Sequence, residues 1–128
     1  MNNLQKPRLA GVMGWPVDHS LSPALHGFWL KENRLSGFYV PLAVRPEDLH
    51  KAVISLPRLG FVGVNLTVPH KEAGVAVVSR VDGVARRVGA INTLIVMDDG
   101  TIEGRNTDGY GFIESLGCLL YTSDAADE

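Results

Sequence analysis

A chain of 128 residues with a net charge of −2 has room for one modest domain and lacks the basic face that nucleic-acid binding requires. An apolar share of 45% and a charged share of 20% suit an ordinary globular protein; no apolar run nears the roughly 20 residues that span a bilayer, and Met1–Pro7 has no signal-peptide core. The single cysteine, Cys118, cannot form an internal disulfide, so a reducing, cytoplasmic setting is the default expectation.

Leu9–Gly14 reads as a buried first strand, broken by Trp15-Pro16. Ser22 followed by Pro23 is a helix start, with a hydroxyl N-cap and proline at the first helical position. Leu25, Phe28 and Trp29 follow at helical spacing and are expected to pack inward. Ser20 and Ser22 present two hydroxyls near free backbone N–H groups, which can hold an anion or can simply serve as cap and turn.

Gly37–Ala43 reads as a second strand, with Pro41 arguing for an edge position. Pro46-Glu47-Asp48 opens a helix whose buried face is Leu49, Val53 and Leu56 and which Pro57 is expected to end. Phe61–Asn65 is a third strand, and a helix after Pro69 is expected to turn Ala73, Ala76 and Val77 inward. Between them, Asn65, Thr67 and Lys71 gather where a strand hands over to a helix, the edge at which open α/β sheets bind ligands. An amide, a hydroxyl and an ammonium suit a small, oxygen-rich, anionic molecule, although caps and a solvated lysine would look the same.

A short helix begins at Asp82-Gly83. Ala90–Met97 reads as a strand, Asp98-Asp99-Gly100 as a hairpin turn, and Thr101–Gly104 as the returning strand. Asn106-Thr107-Asp108-Gly109 leads into a helix carrying Tyr110, Phe112, Ile113 and Leu116. Alternating strands and helices argue for a largely parallel α/β sheet with one antiparallel element. The last stretch, 118–128, breaks the pattern and reads as translated adapter sequence rather than native protein. Phosphate-loop, nucleophile-elbow and complete dinucleotide motifs are not found, and the scattered histidines predict no metal site.

Four segments occur in order: His19-Ser20-Leu21-Ser22-Pro23, Gly63–Lys71, Gly89-Ala90-Ile91-Asn92-Thr93 and Gly104–Gly109. Together they closely resemble the N-terminal, substrate-binding domain of the shikimate dehydrogenase family, across roughly Leu9 to Leu116. The resemblance implies an α/β three-layer sandwich over 1–117, with a mostly parallel mixed sheet flanked by helices. It implies reduction of 3-dehydroshikimate to shikimate, with NADP bound by a C-terminal Rossmann domain that this sequence does not show. The chain alone is therefore expected not to turn over.

By the same resemblance, Ser20 and Ser22 hold the substrate carboxylate. Thr67, Asn92 and Asp108 bind ring hydroxyls with Asn65 close by, and Lys71 and Asp108 form the catalytic pair. Hydride addition to a carbonyl builds negative charge on oxygen, which a nearby ammonium stabilises and can protonate. A carboxylate beside the lysine orients it. Two other readings stay open: a stand-alone module that captures a polyhydroxy carboxylate, and a quinate-using relative. The expected partner is a small molecule, not nucleic acid or membrane, and a homodimer is compatible with the resemblance.

Overall fold

The computed structural model describes residues 8–18, 20–34 and 36–108. Strand β1 (Arg8–Gly14) leads through α1 (Ser22–Glu32) to β2 (Gly37–Ala43). A 3-10 turn at Pro46–Asp48 runs into α2 (Leu49–Leu59), followed by β3 (Phe61–Leu66). The single turn α3 (His70–Ala73) continues as a 3-10 helix over Gly74–Val77, then β4 (Arg80–Val81) and α4 (Gly83–Val88). A hairpin of β5 (Thr93–Val96) and β6 (Ile102–Arg105) follows.

These strands form one sheet in the order β2-β1-β3-β5-β6-β4. β1 pairs in parallel with β2 and β3, and β4 in parallel with β6. β5 runs antiparallel to both its neighbours, so it alone opposes the other five strands. The mostly parallel mixed sheet expected from the sequence is therefore present. β1 is flanked on both sides, and Gly11–Gly14 are buried, as a continuous apolar run in a parallel sheet should be. β2 with Pro41 is an edge strand; there the missing proline N–H leaves no inner partner wanting.

The core gathers Met13, Val64, Leu66 and Leu94 from the strands with Leu49, Val53 and Leu56 from α2, and Ala85, Ile91 and Ile102 close it. The buried α2 residues recur at helical spacing, as the sequence indicates.

Several local expectations change. Pro57 lies inside the last turn of α2, which ends at Gly60 instead. Gly60 takes φ +84°, a left-handed C-cap that glycine reaches without a Cβ clash. Leu25, Phe28 and Trp29 face outward and are 47, 58 and 47% exposed. The inward stripe of α1 is Ser22, Pro23, His26 and Leu30, all half-buried at three- and four-residue spacing. A stripe that includes a hydroxyl and an imidazole thus faces the sheet, where His26 stacks on the Tyr39 ring. Ala73 and Ala76 are also exposed; His70 and Gly74 are the buried residues of that segment, with Val77 half-buried. The strand expected over Ala90–Met97 is shorter, covering Thr93–Val96. β4 was not legible at all: two residues carry no periodicity. The helix expected beyond Gly109 and the stretch 118–128, read from the sequence as non-native, lie outside the described residues.

Leu94 is fully buried in β5 at the centre of the core. Leu94→Ala is expected to cost about 2–5 kcal/mol in chemical denaturation, through lost transfer energy and the cavity left behind. Ile54→Ala, on the half-open face of α2, should stay within about 0.5 kcal/mol of the parent. Equal losses at the two positions would contradict this core.

Candidate active site

β1 and β3 are neighbours, yet their connections diverge: β1 leaves through α1 to β2, and β3 through α3 to the far edge. Divergence at the carboxyl ends of adjacent parallel strands opens a crevice. Its floor is stitched by backbone bonds. The Thr67 N–H donates to the Met13 carbonyl at 2.9 Å, and the Trp15 N–H to the Val68 carbonyl at 3.1 Å. Gly14 permits this approach, since a Cβ there would lie 2.5 Å from Thr67 Cγ2.

Asn92 stands at the entrance to β5, and because β5 is reversed, that entrance lies at the same edge. The residue is 8% exposed. Its Nδ2 donates to Thr107 Oγ1 at 3.0 Å and to Asp108 Oδ1 at 2.7 Å. Its Oδ1 accepts the Thr107 N–H at 3.0 Å and the Thr93 hydroxyl at 3.0 Å. An amide offers two donors and two acceptor lone pairs, so every one is in use. The Thr107 N–H can only donate, which fixes which end of the amide faces which partner. Asn106 secures the loop: its Nδ2 donates to the Ala90 carbonyl at 3.1 Å, and its Oδ1 accepts the Asp108 N–H at 2.9 Å.

Asp108 is thereby presented to Lys71 on α3. Lys71 Nζ donates to Asp108 Oδ2 at 3.1 Å. The Lys71 carbonyl accepts the Ile91 N–H at 2.8 Å, which ties α3 to the segment carrying Asn92. The two side chains remain 38% and 58% exposed. A pair this open contributes about 0–1 kcal/mol to stability. So many bonds spent on positioning an ion pair that stabilises so little point to chemistry. An ammonium beside a carboxylate, open to a crevice, can stabilise charge on a bound oxygen and exchange a proton with it.

Asn65, half-buried on β3, continues the network. Its Nδ2 donates to the Asn92 carbonyl and to Thr93 Oγ1, both at 3.2 Å, and its Oδ1 accepts the Tyr39 hydroxyl at 2.7 Å. Burial pushes the Tyr39 hydroxyl up to about 12, while a hydrogen bond from the Ser22 side chain pulls the other way. His26 stacks on the Tyr39 ring with centroids 4.1 Å apart and planes 7° from parallel. Burial lowers its pKa and favours neutral imidazole.

Lys71, Asp108, Asn92 and Asn65 are thus joined in one hydrogen-bonded group, which Tyr39 extends to β2. Ser20 and Thr67 lie at the same edge, outside that group's side-chain bonds among the described residues. The cap at α1 is the reverse of the sequence expectation. Leu21 occupies the N-cap position with no side-chain bond, and it is Ser20 Oγ that accepts the Ser22 N–H, at 3.2 Å. His19 lies outside the described residues. Sequence reasoning passed over Tyr39, His26, Thr93, Asn106 and Thr107. The Asn-Thr-Asp run was a usable signal for the last two, as short polar residues that bond their own backbone. Tyr39 in a strand gave none.

Residues 12–94 match the family model for the shikimate dehydrogenase substrate binding domain. The NADP(+)-dependent shikimate dehydrogenase of Paramagnetospirillum magneticum is 60% identical over 118 residues, which are 91% of this chain and 43% of that protein. The crystal structure of shikimate 5-dehydrogenase from Thermus thermophilus in complex with NADP(H) and shikimate superposes with a TM-score of 0.82 at 41% identity, covering 87% of this chain and 42% of that one. The ligand-free 5-ketofructose reductase of Gluconobacter sp. strain CHM43 superposes at 0.85 with 28% identity, over 89% of this chain and 41% of that one. The chain therefore spans about two fifths of the length of the relatives it matches.

The cap geometry makes Ser20→Ala the costlier serine change, by about 0.5–2 kcal/mol in thermal or urea denaturation, with Ser22→Ala losing distinctly less. The opposite order would restore Ser22 as the cap. The raised Tyr39 pKa also sets an alkaline limit. Its folded value lies above the unfolded one of 10, so its contribution is complete below pH 10 and is lost as pH rises from 10 towards about 12. Unfolding curves from pH 9 to 12 should show the stability gap between the parent and Tyr39→Phe narrowing across that window. A constant gap would mean that Tyr39 titrates normally.

Proposed function

Because the chain belongs to the shikimate dehydrogenase substrate-binding domain family, we propose that it is the substrate-holding part of an NADP-dependent shikimate dehydrogenase that interconverts 3-dehydroshikimate and shikimate. The observation that carries this reading is the open Lys71–Asp108 pair braced by Asn92. On this reading Ser20 and Ser22 receive the carboxylate at the start of α1, where backbone N–H groups and the helix dipole favour an anion. Thr67, Asp108 and Asn65 receive the ring hydroxyls, and Asn92 joins them by exchanging one of its present bonds for the ligand. Polar groups placed to pair with hydroxyls discriminate sharply against molecules that lack them.

NADP, when bound, takes up or supplies the hydride. Among the described residues no strand-to-helix turn carries the glycine fingerprint that cradles a dinucleotide, so these residues fit the reacting molecule and not the cofactor. Their own task lies at the carbonyl oxygen. Lys71 stabilises the negative charge that gathers there and hands it a proton; Asp108 holds the ammonium in place and meets the neighbouring hydroxyl. No helix among the described residues is long and apolar enough to cross a membrane, and a cytoplasmic setting, with a homodimer as its assembly, belongs to the same proposal. Residues 1–117 form the domain, and 118–128 are foreign to it.

The test splices residues 8–108 into the Paramagnetospirillum magneticum relative in place of its matching segment. The chimera should oxidise shikimate with NADP, and much less readily quinate or the reduced partner of 5-ketofructose. Lys71→Ala should lower kcat by about a hundredfold or more with KM much less changed, as the loss of acid–base catalysis implies. A chimera that prefers another polyhydroxy substrate would reassign the site, and near-parental kcat in Lys71→Ala would remove the lysine from the chemistry.

A further inference from the structure

The network holds one member that the proposed chemistry does not use. The Tyr39 hydroxyl donates to Asn65 Oδ1 at 2.7 Å. Tyr39 stands on edge strand β2 and Asn65 on β3, with β1 between them, so one hydroxyl reaches across a strand to join the two. On the shikimate reading, Asn65 serves the hydroxyl end of the ligand. We propose that Tyr39 is a positioning residue, which fixes the Asn65 amide for ligand recognition.

The count of bonds supports this. Both Nδ2 hydrogens of Asn65 are taken by the Asn92 carbonyl and Thr93 Oγ1. Its Oδ1 has two lone pairs, and Tyr39 occupies one. A single acceptor site therefore remains for a ligand hydroxyl, in a direction set by the other three bonds. Without the Tyr39 hydroxyl, Oδ1 would lose the bond that orients and polarises it. The ring itself is held separately. His26 stacks on one face, and Trp29 meets His26 edge-on with centroids 5.2 Å apart. Ring and hydroxyl can therefore be tested apart: Tyr39→Phe keeps the stack and deletes only the bond. Burial holds the hydroxyl protonated far above neutral pH, which keeps it a donor to Asn65.

The inference rests on the shikimate reading, and its test is a double-mutant cycle on the 128-residue chain. Shikimate is titrated into isotope-labelled parent, Tyr39→Phe, Asn65→Ala and the double variant, with amide NMR shifts as the readout and a thermal melt for each. Tyr39→Phe should weaken shikimate binding about three- to tenfold, the range one neutral hydrogen bond supports. The double variant should bind no more weakly than Asn65→Ala alone, because Tyr39 acts through Asn65. A lower melting temperature with unchanged affinity in Tyr39→Phe would overturn the proposal and leave the bond merely structural. Additive losses in the double variant would also overturn it, since Tyr39 would then act on the ligand by another route. A parent chain that binds no shikimate would overturn the shikimate reading together with this inference, whereas a binding parent with an indifferent Tyr39→Phe overturns the inference alone.

Discussion

The side chain of Asn92 is the constraint on which the site depends. It is nearly buried, and a buried amide left unpaired costs about 1–3 kcal/mol for each abandoned group. All four of its bonding positions are met by Thr93, Thr107 and Asp108. Its carbonyl accepts from the Leu66 N–H and from Asn65, and its own N–H donates to the Arg105 carbonyl. One residue therefore ties the ends of β3, β5 and β6 and the loop after β6. Moving it would strand several polar groups at once, and the Asp108 carboxylate inherits that rigidity.

Stability and reactivity are divided between the two faces of this arrangement. The apolar core beneath α2 holds the sheet, with Val53 and Leu94 wholly excluded from solvent. The Lys71–Asp108 pair sits in the open, where water screens it. Such a pair does little for the fold, and it stays accessible to a ligand that can displace that water. His70, beside Lys71, is buried and donates through Nε2 to the Val44 carbonyl at 2.7 Å. This anchors α3 to the segment after β2, so the lysine projects from a fixed base although its tip is exposed.

How much of this was legible depended on the type of signal. Parallel strands wrote themselves as apolar runs, and α2 as Leu49, Val53 and Leu56, because burial imposes a period. Pro41 marked the edge for a stereochemical reason that holds in any context. Motif segments pointed to Lys71, Asp108, Asn92 and Asn65, which the structure joins in one hydrogen-bonded group. Where two principles competed, the reading went astray. Ser22-Pro23 resembles a cap, but the backbone bond goes to Ser20. Leu25, Phe28 and Trp29 have helical spacing, yet the sheet-facing stripe of α1 carries Ser22 and His26, the imidazole stacked on the Tyr39 ring. Tyr39 was invisible: a strand tyrosine has a packing role by default, and only its distance to Asn65 separates it from that default.

The reversed strand has a consequence for how the molecule tolerates change. A wholly parallel sheet would need a crossover to return a chain to its carboxyl edge. Here the tight hairpin at Met97–Thr101, with Gly100 at φ +87° and Asp99 Oδ1 accepting the Thr101 N–H at 3.0 Å, brings the chain back in a few residues. Its tip stands at the opposite edge from Asn92 and Asp108. Dyes, affinity handles or grafted loops attached at Asp98–Gly100 would thus hang from the rear of the domain. The reversal that assembles the site also leaves it a remote and expendable handle.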